Sequence, residues 1–223
     1  MHCRYLMFSK KAITGDFVVC AFVFGLMACG NEIDTNSSQQ EQEKTSTFSS
    51  GMAEVFGAAP QKPGDPQAII SLFSELTLEV PFPKKPTEID QYGRAFFPSV
   101  TAIRAGQEIL FRNSEDELHN VNVKDQNGDT IFNVGMPILG GTFQYTFERA
   151  GSYSVACNVH QEMAATIVVS DGVYTVLADR DGRFVIHDVP YGRYNFEIRR
   201  GNERSSFPID VQNASTEMVF DEE

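Results

Sequence analysis

The sequence predicts an all-β protein: a larger sandwich followed by a small sandwich-like unit. Two observations carry this. Apolar and polar residues alternate at period two in one short run after another. Turn signals divide those runs, at Asn127-Gly128-Asp129, Gly140-Gly141, Ala150-Gly151, Asp181-Gly182 and Tyr191-Gly192.

The elements follow in chain order. Arg4, Lys10 and Lys11 form a basic start, and residues 17–28 are almost wholly apolar. That run is short of the ~20 residues a spanning helix needs and reads as a signal peptide, residues 1–28. Its end, Leu26-Met27-Ala28-Cys29, resembles a bacterial lipoprotein signal. The resemblance implies that Cys29 carries lipid and anchors the chain to a membrane of the bacterial envelope, on the periplasmic side. A plain secretory signal cleaved near Ala28 is the alternative, and Met7 is a second candidate start. Gly30 after Cys29 leaves open which membrane holds the anchor. Residues 29–50 are rich in Asn, Ser, Gln, Thr and Glu and cannot bury enough surface to order themselves, so they read as a tether.

The larger sandwich is expected over 51–170. His119, Val121 and Val123 alternate with Asn120 and Asn122. Phe143, Tyr145 and Phe147 share one face of their strand. Tyr153, Val155 and Cys157 do the same, and residues 165–169 form a further strand. Residues 66–78 fit a helix period and a strand equally well. The small unit is expected over 171–223, with strands near 173–177, 184–186, 194–198 and 207–211. Its size is marginal for an independent core, so it should pack on the first domain. Asp179-Arg180-Asp181-Gly182 reads as a tight turn, because it lacks the length and distal Glu of a calcium loop.

Charge and cysteines narrow the class. The formal net charge is -12. Residues 1–28 carry a net +2, which leaves -14 on the remainder. Such a surface repels nucleic acid and suits a basic partner. Of the four cysteines, Cys3 and Cys20 fall in the signal segment and Cys29 ends it. Only Cys157 lies in the folded region, so no disulfide within that region is expected. A lone thiol in an exported protein invites oxidation unless a metal holds it.

Cys157, His160 and Met163 share one loop with Cys-x2-His-x2-Met spacing, and His119 follows Asn113 as Asn-x5-His. Together they supply a thiolate, two imidazoles and a thioether. Taken singly, each has an ordinary structural explanation, as core packing or surface. As a set they suit one copper ion cycling between Cu(I) and Cu(II), with three strong ligands in a plane and a long, weak thioether bond. Zinc accepts the Cys and His donors, but Met is not a usual zinc ligand. His187 and Met136 read as surface and packing residues.

Here the chain resembles the cupredoxins, the plastocyanin and amicyanin family, over roughly 51–170 and most strongly over 97–169. The ligand-loop spacing is that of amicyanin. The run Cys157-Asn158-Val159-His160-Gln161-Glu162-Met163, with Asp181-Gly182-Arg183-Phe184 and Val189-Pro190-Tyr191-Gly192-Arg193-Tyr194, also looks like bacterial methylamine utilisation-like cupredoxins. Those carry a small carboxypeptidase-regulatory-like β unit after the copper domain. The resemblance implies a Greek-key β-sandwich, with Asn120 bracing the two ligand segments and able to bond the Cys sulfur through its backbone N–H. Asn158 stands where the family often has Ser or Thr, and Val159 where it often has Pro. Gln161 and Glu162 give the outer edge of the loop a polar character where the family has an apolar docking patch.

The expected function is one-electron transfer between redox proteins, with a basic cytochrome as one class of partner. No small-molecule substrate and no catalysis are expected, because no haem motif and no second copper motif is present. Copper storage or delivery without electron transfer is the alternative, and Cys157 argues against it because a thiolate holds copper tightly.

Overall fold

The computed structural model describes residues 3–5, as backbone, and 51–220. Cys29 and the tether expected over 29–50 lie outside the described residues, as does the expected signal segment apart from residues 3–5. The described residues are strands, turns and connecting segments. No helix among them is long and apolar enough to cross a membrane.

The strands, in order, are β1 (Cys3–Tyr5), β2 (Met52–Ala58), β3 (Ile69–Phe73), β4 (Thr87–Tyr92), β5 (Ala95–Phe97), β6 (Val100–Arg104), β7 (Gln107–Asn113), β8 (His119–Lys124) and β9 (Thr130–Met136). There follow β10 (Thr142–Phe147), β11 (Gly151–Ala156), β12 (Ala164–Ser170), β13 (Tyr174–Leu177), β14 (Arg183–Pro190), β15 (Gly192–Arg200), β16 (Glu203–Val211) and β17 (Ser215–Phe220). They make two sandwiches. The first packs the sheet β10-β7-β4-β5 on the sheet β6-β12-β11-β8-β9. The pairs β4–β7 and β6–β12 are parallel, and the others in these two sheets are antiparallel.

Burial follows the alternation read from sequence. In β8, Val121 and Val123 face the core, and in β11 Tyr153 and Val155 do so. They meet Ile89, Ile109 and Phe111 from the other sheet. Phe132, Tyr145, Phe147 and Tyr153 close one side with ring centroids 4.7–5.0 Å apart in successive pairs. Tyr153 carries a hydroxyl into this apolar surround, and that hydroxyl donates to the Arg149 carbonyl at 2.7 Å. The second sandwich repeats the device: Tyr194 donates to the Pro190 carbonyl at 2.8 Å.

The second sandwich corrects the expected boundaries. Its sheets are β1-β17-β2-β14 and β13-β3-β15-β16. So β2 and β3, expected in the larger domain at 51–170, belong with the strands of 171–223. The physical reason is plain in the burial. Residues 69–72 of β3 are all buried: the strand pairs with β13 and β15 along its two edges, Ile70 and Leu72 enter the second core, and Ser71 bonds Thr175 and Ser170 on the other face. β2 lies between β14 and β17 and sends Ala53 and Val55 into the same core. Residues 171–223 alone would lack both central strands. The ambiguous stretch 66–78 is therefore a strand where it is regular; full burial on both faces erases the alternation that would have marked it.

The two sandwiches are fastened at the end of β6. The Arg104 guanidinium donates to the carbonyls of Val80 at 3.0 Å, Val173 at 2.9 Å and Pro81 at 2.8 Å, and lies 4.5 Å over the Phe82 ring. Ser170 adds a bond to Ser71 at 3.0 Å. The Asp179 turn closes on itself, with its carboxylate accepting from the N–H groups of Asp181 and Arg183. Gly182 there has φ +80, and a Cβ would strike the Ala59 carbonyl.

Candidate metal centre

Two segments meet at one end of the first sandwich. β8 begins at His119, and β11 ends at Ala156, directly before Cys157. Ala156 pairs with Asn122, so the chain leaving β11 runs past the start of β8 toward His119. Residues 157–163 then turn back: Met163 N–H donates to the His160 carbonyl at 3.1 Å, and Cys157 N–H to the Met163 carbonyl at 3.2 Å. A seven-residue loop closed by two such bonds holds its side chains in fixed directions.

The structure brings together His119, Cys157 and His160, whose ligand atoms all lie within 4.8 Å of one another. The two Nδ1 atoms are 3.1 Å apart, and Cys157 Sγ is 3.9 Å from His160 Nδ1. Nitrogens each bound at about 2.0–2.1 Å to one ion and separated by this distance would subtend about 100° at it. The donor set and spacing therefore fit one metal ion. Met163 is 1% exposed and packs in the core beside Cys157, which is 3% exposed, while His119 is fully buried. His160 is partly exposed and is the ligand-type residue nearest to solvent.

The surrounding bonds fix the segments. Asn120 Oδ1 accepts from the Asn158 N–H at 2.6 Å, tying β8 to the loop, and Asn120 Nδ2 donates to Asn133 at 2.6 Å. Asn158 Oδ1 accepts from Asn122 at 3.0 Å. Behind His119, Asn113 is fully buried and uses both ends of its amide. Its Nδ2 donates to the carbonyls of Glu117 at 2.9 Å and Met136 at 2.8 Å, and its Oδ1 accepts from Glu115 N–H at 2.9 Å. These bonds shape the 114–118 turn that delivers His119.

Three residues at this site escaped the sequence reading: Arg94, Glu115 and Glu117. Glu115 Oε2 is 3.0 Å from His119 Nε2, and Glu117 Oε2 is 3.5 Å from His160 Nε2. Arg94 serves both carboxylates. Its N–H donates to Glu115 at 3.1 Å, and its guanidinium grips Glu117 through Nε at 3.0 Å and Nη2 at 3.1 Å. The Arg94 N–H lowers the Glu115 pKa below the usual carboxylate range, with help from the Gly93 N–H and His119. The Arg94 guanidinium lowers that of Glu117. Glu115 and Glu117 lie four and two residues before His119, a signal that the sequence did offer. Arg94 lies more than twenty residues upstream, and no local pattern marks it.

Gln161 and Glu162 are exposed, so the loop edge is polar as read. The rim around it is not uniformly so. Leu118, Ile138, Leu139 and Val159 are each about half or more exposed, on the loops that Asn113 and Asn120 tie together. His187 stands apart, 2.9 Å from Glu54. Met136 is buried, its β9 position opposite His119.

Comparison with known proteins places the same region. Residues 84–170, which contain β4 to β12, match the model of the copper binding proteins, plastocyanin/azurin family. Cytochrome c oxidase subunit 2 of Thermus thermophilus is 34% identical over 83 residues, 33% of this chain and 57% of that protein. A second protein of the same description, from a particular strain of that species, is equally identical, with 46% of its length covered. The chain thus spans about half the length of the curated relatives it matches. Among solved structures, a purple cupredoxin from Nitrosopumilus maritimus is 25% identical, with a TM-score of 0.34 over 38% of this chain and 99% of that one. Amicyanin from Paracoccus versutus is 24% identical, with a TM-score of 0.36 over 45% of this chain and 97% of that one.

Proposed function

We propose that the protein is an extracytoplasmic carrier of single electrons between redox proteins, built on residues 84–170, which match the model of the copper binding proteins, plastocyanin/azurin family. The observation that carries the reading is the approach of His119 Nδ1, His160 Nδ1 and Cys157 Sγ at the closed end of a sandwich. His119, Cys157 and His160 would hold the copper as strong ligands, with the Met163 thioether as a weak fourth. Copper, when bound, supplies the one-electron couple. The protein contributes a donor set of mixed softness held by the rigid ends of two strands. Burial of His119, Cys157 and Met163 keeps water from the inner face. His160, at the partly exposed side, gives the electron its shortest way out.

The storage or delivery alternative fits less well, because Cys157 and Met163 are buried and offer no handle for exchange. The docking face we assign is the loop end around His160. Leu118, Val159, Ile138 and Leu139 supply apolar contact, while Glu115, Asp116, Glu117 and Glu162 ring it with negative charge. A basic redox protein suits such a face. Lipidation at Cys29 and a 29–50 tether would hold this face at an envelope membrane within reach of its partner.

The test is to load the purified protein with Cu(II) and record its visible spectrum. An intense thiolate-to-copper band is expected, and Cys157→Ser should abolish it. Absence of the band, or its survival in the serine variant, overturns the assignment.

A further inference from the structure

The Arg94, Glu115 and Glu117 cluster is not required to supply a metal ligand, yet its exposed Arg94–Glu117 ion pair is bidentate and is tied to the buried Asn113 through the Glu117 backbone. Glu117 is held at both ends. Its carbonyl accepts from the buried Asn113 amide at 2.9 Å, and its carboxylate is gripped by two guanidinium nitrogens at 3.0 and 3.1 Å. Two parallel bonds of this kind fix the plane of the carboxylate as well as its place. Arg94 has φ +52 in the turn between β4 and β5, and its own backbone N–H bonds Glu115. So one turn residue sets two carboxylates, and each stands beside the outward nitrogen of a different imidazole.

We propose that Arg94 and Glu117 form a positioning pair for His160, holding its ring with Nδ1 toward the metal and biasing the bound copper toward its oxidised state. The inference rests on the reading of His160 as a ligand. A carboxylate beside Nε2 favours the tautomer with hydrogen on Nε2, which leaves the Nδ1 lone pair free to bind. Negative charge at that edge also makes the imidazole a better donor and favours the more highly charged ion. Glu115 does for the buried His119 what Glu117 does for the partly exposed ring, and His160 is the ring that solvent and a partner would otherwise disturb. The pair therefore contributes most where the site is least protected by packing.

Two variants test this in the full chain. Glu117→Gln keeps shape and removes charge. Arg94→Gly tolerates the positive φ, keeps the backbone N–H on Glu115 and removes the guanidinium. Copper is titrated as Cu(I) and Cu(II), the potential is measured, and the electron paramagnetic resonance spectrum is recorded for nitrogen couplings. In each variant the ratio of Cu(II) to Cu(I) affinity is expected to fall about tenfold, a rise in potential of about 59 mV for one electron. The thiolate band should persist, and the coupling assigned to one of the two imidazoles should change. The double variant should show little more than Glu117→Gln alone, because Arg94 acts through Glu117. An unchanged potential and unchanged couplings in both single variants, with the band intact, overturn the proposal. If the unaltered protein shows no thiolate band, the ligand reading has failed and the proposal goes with it. A band that is present in the unaltered protein and disappears on His160→Ala secures the ligand reading separately.

Discussion

At the scale of single residues, the site depends on polar side chains that are buried and fully used. Asn113 is fully buried and joins the turn before His119 to β9 through three side-chain bonds. An unsatisfied buried partner costs about 1–3 kcal/mol, so Asn113→Ala should lower stability by about 2–3 kcal/mol in urea unfolding. It should also broaden the copper spectrum, since His119 would lose its fixed approach. A variant as stable and as sharply coloured as the parent would contradict the role given to Asn113. Asn120 was legible as a brace because it follows His119 in a run that resembles the cupredoxins. Arg94 was not legible, because its partners come from a turn that only folding brings near.

At the scale of elements, a strand buried on both faces loses the signature by which strands are read. β3 has Ile69, Ile70, Ser71 and Leu72 all buried. β8, β10 and β11, with one face to the core, showed their period clearly. β3 belongs to the second sandwich, so damage to it should stay there. Leu72 is fully buried in that core, and Leu72→Ala should cost about 2–5 kcal/mol in unfolding followed by circular dichroism. The copper band should be retained in the native protein. Loss of copper binding with no loss of stability would show that β3 serves the first sandwich instead.

At the scale of the whole molecule, charge and connection matter most. The chain carries a formal net charge of -12, and Glu117 places part of it 3.5 Å from His160 Nε2, with Glu162 two residues further along the same loop. Electron transfer to a basic cytochrome should therefore slow as salt is raised from low to physiological ionic strength, where charges more than about 8–10 Å apart are screened. Stopped-flow rates that are indifferent to salt would remove the electrostatic part of the docking argument and leave the apolar rim to carry it. The second sandwich is fastened to the first by Arg104 and by the Ser170–Ser71 bond.

The sequence by itself determined the proposed donor set, the all-β class and the facing of most site strands, because each is written in local spacing: Cys-x2-His-x2-Met, Asn-x5-His, and period-two alternation. Only the tertiary structure decided which strands share a sheet. It put β2 and β3 with the strands beyond residue 173, since pairing across more than a hundred residues leaves no local trace. It likewise decided that Arg94 stands over Glu115 and Glu117, and that an apolar rim accompanies the polar loop edge. Such contacts depend on how distant turns are carried together by a common core, and no single stretch of chain encodes that.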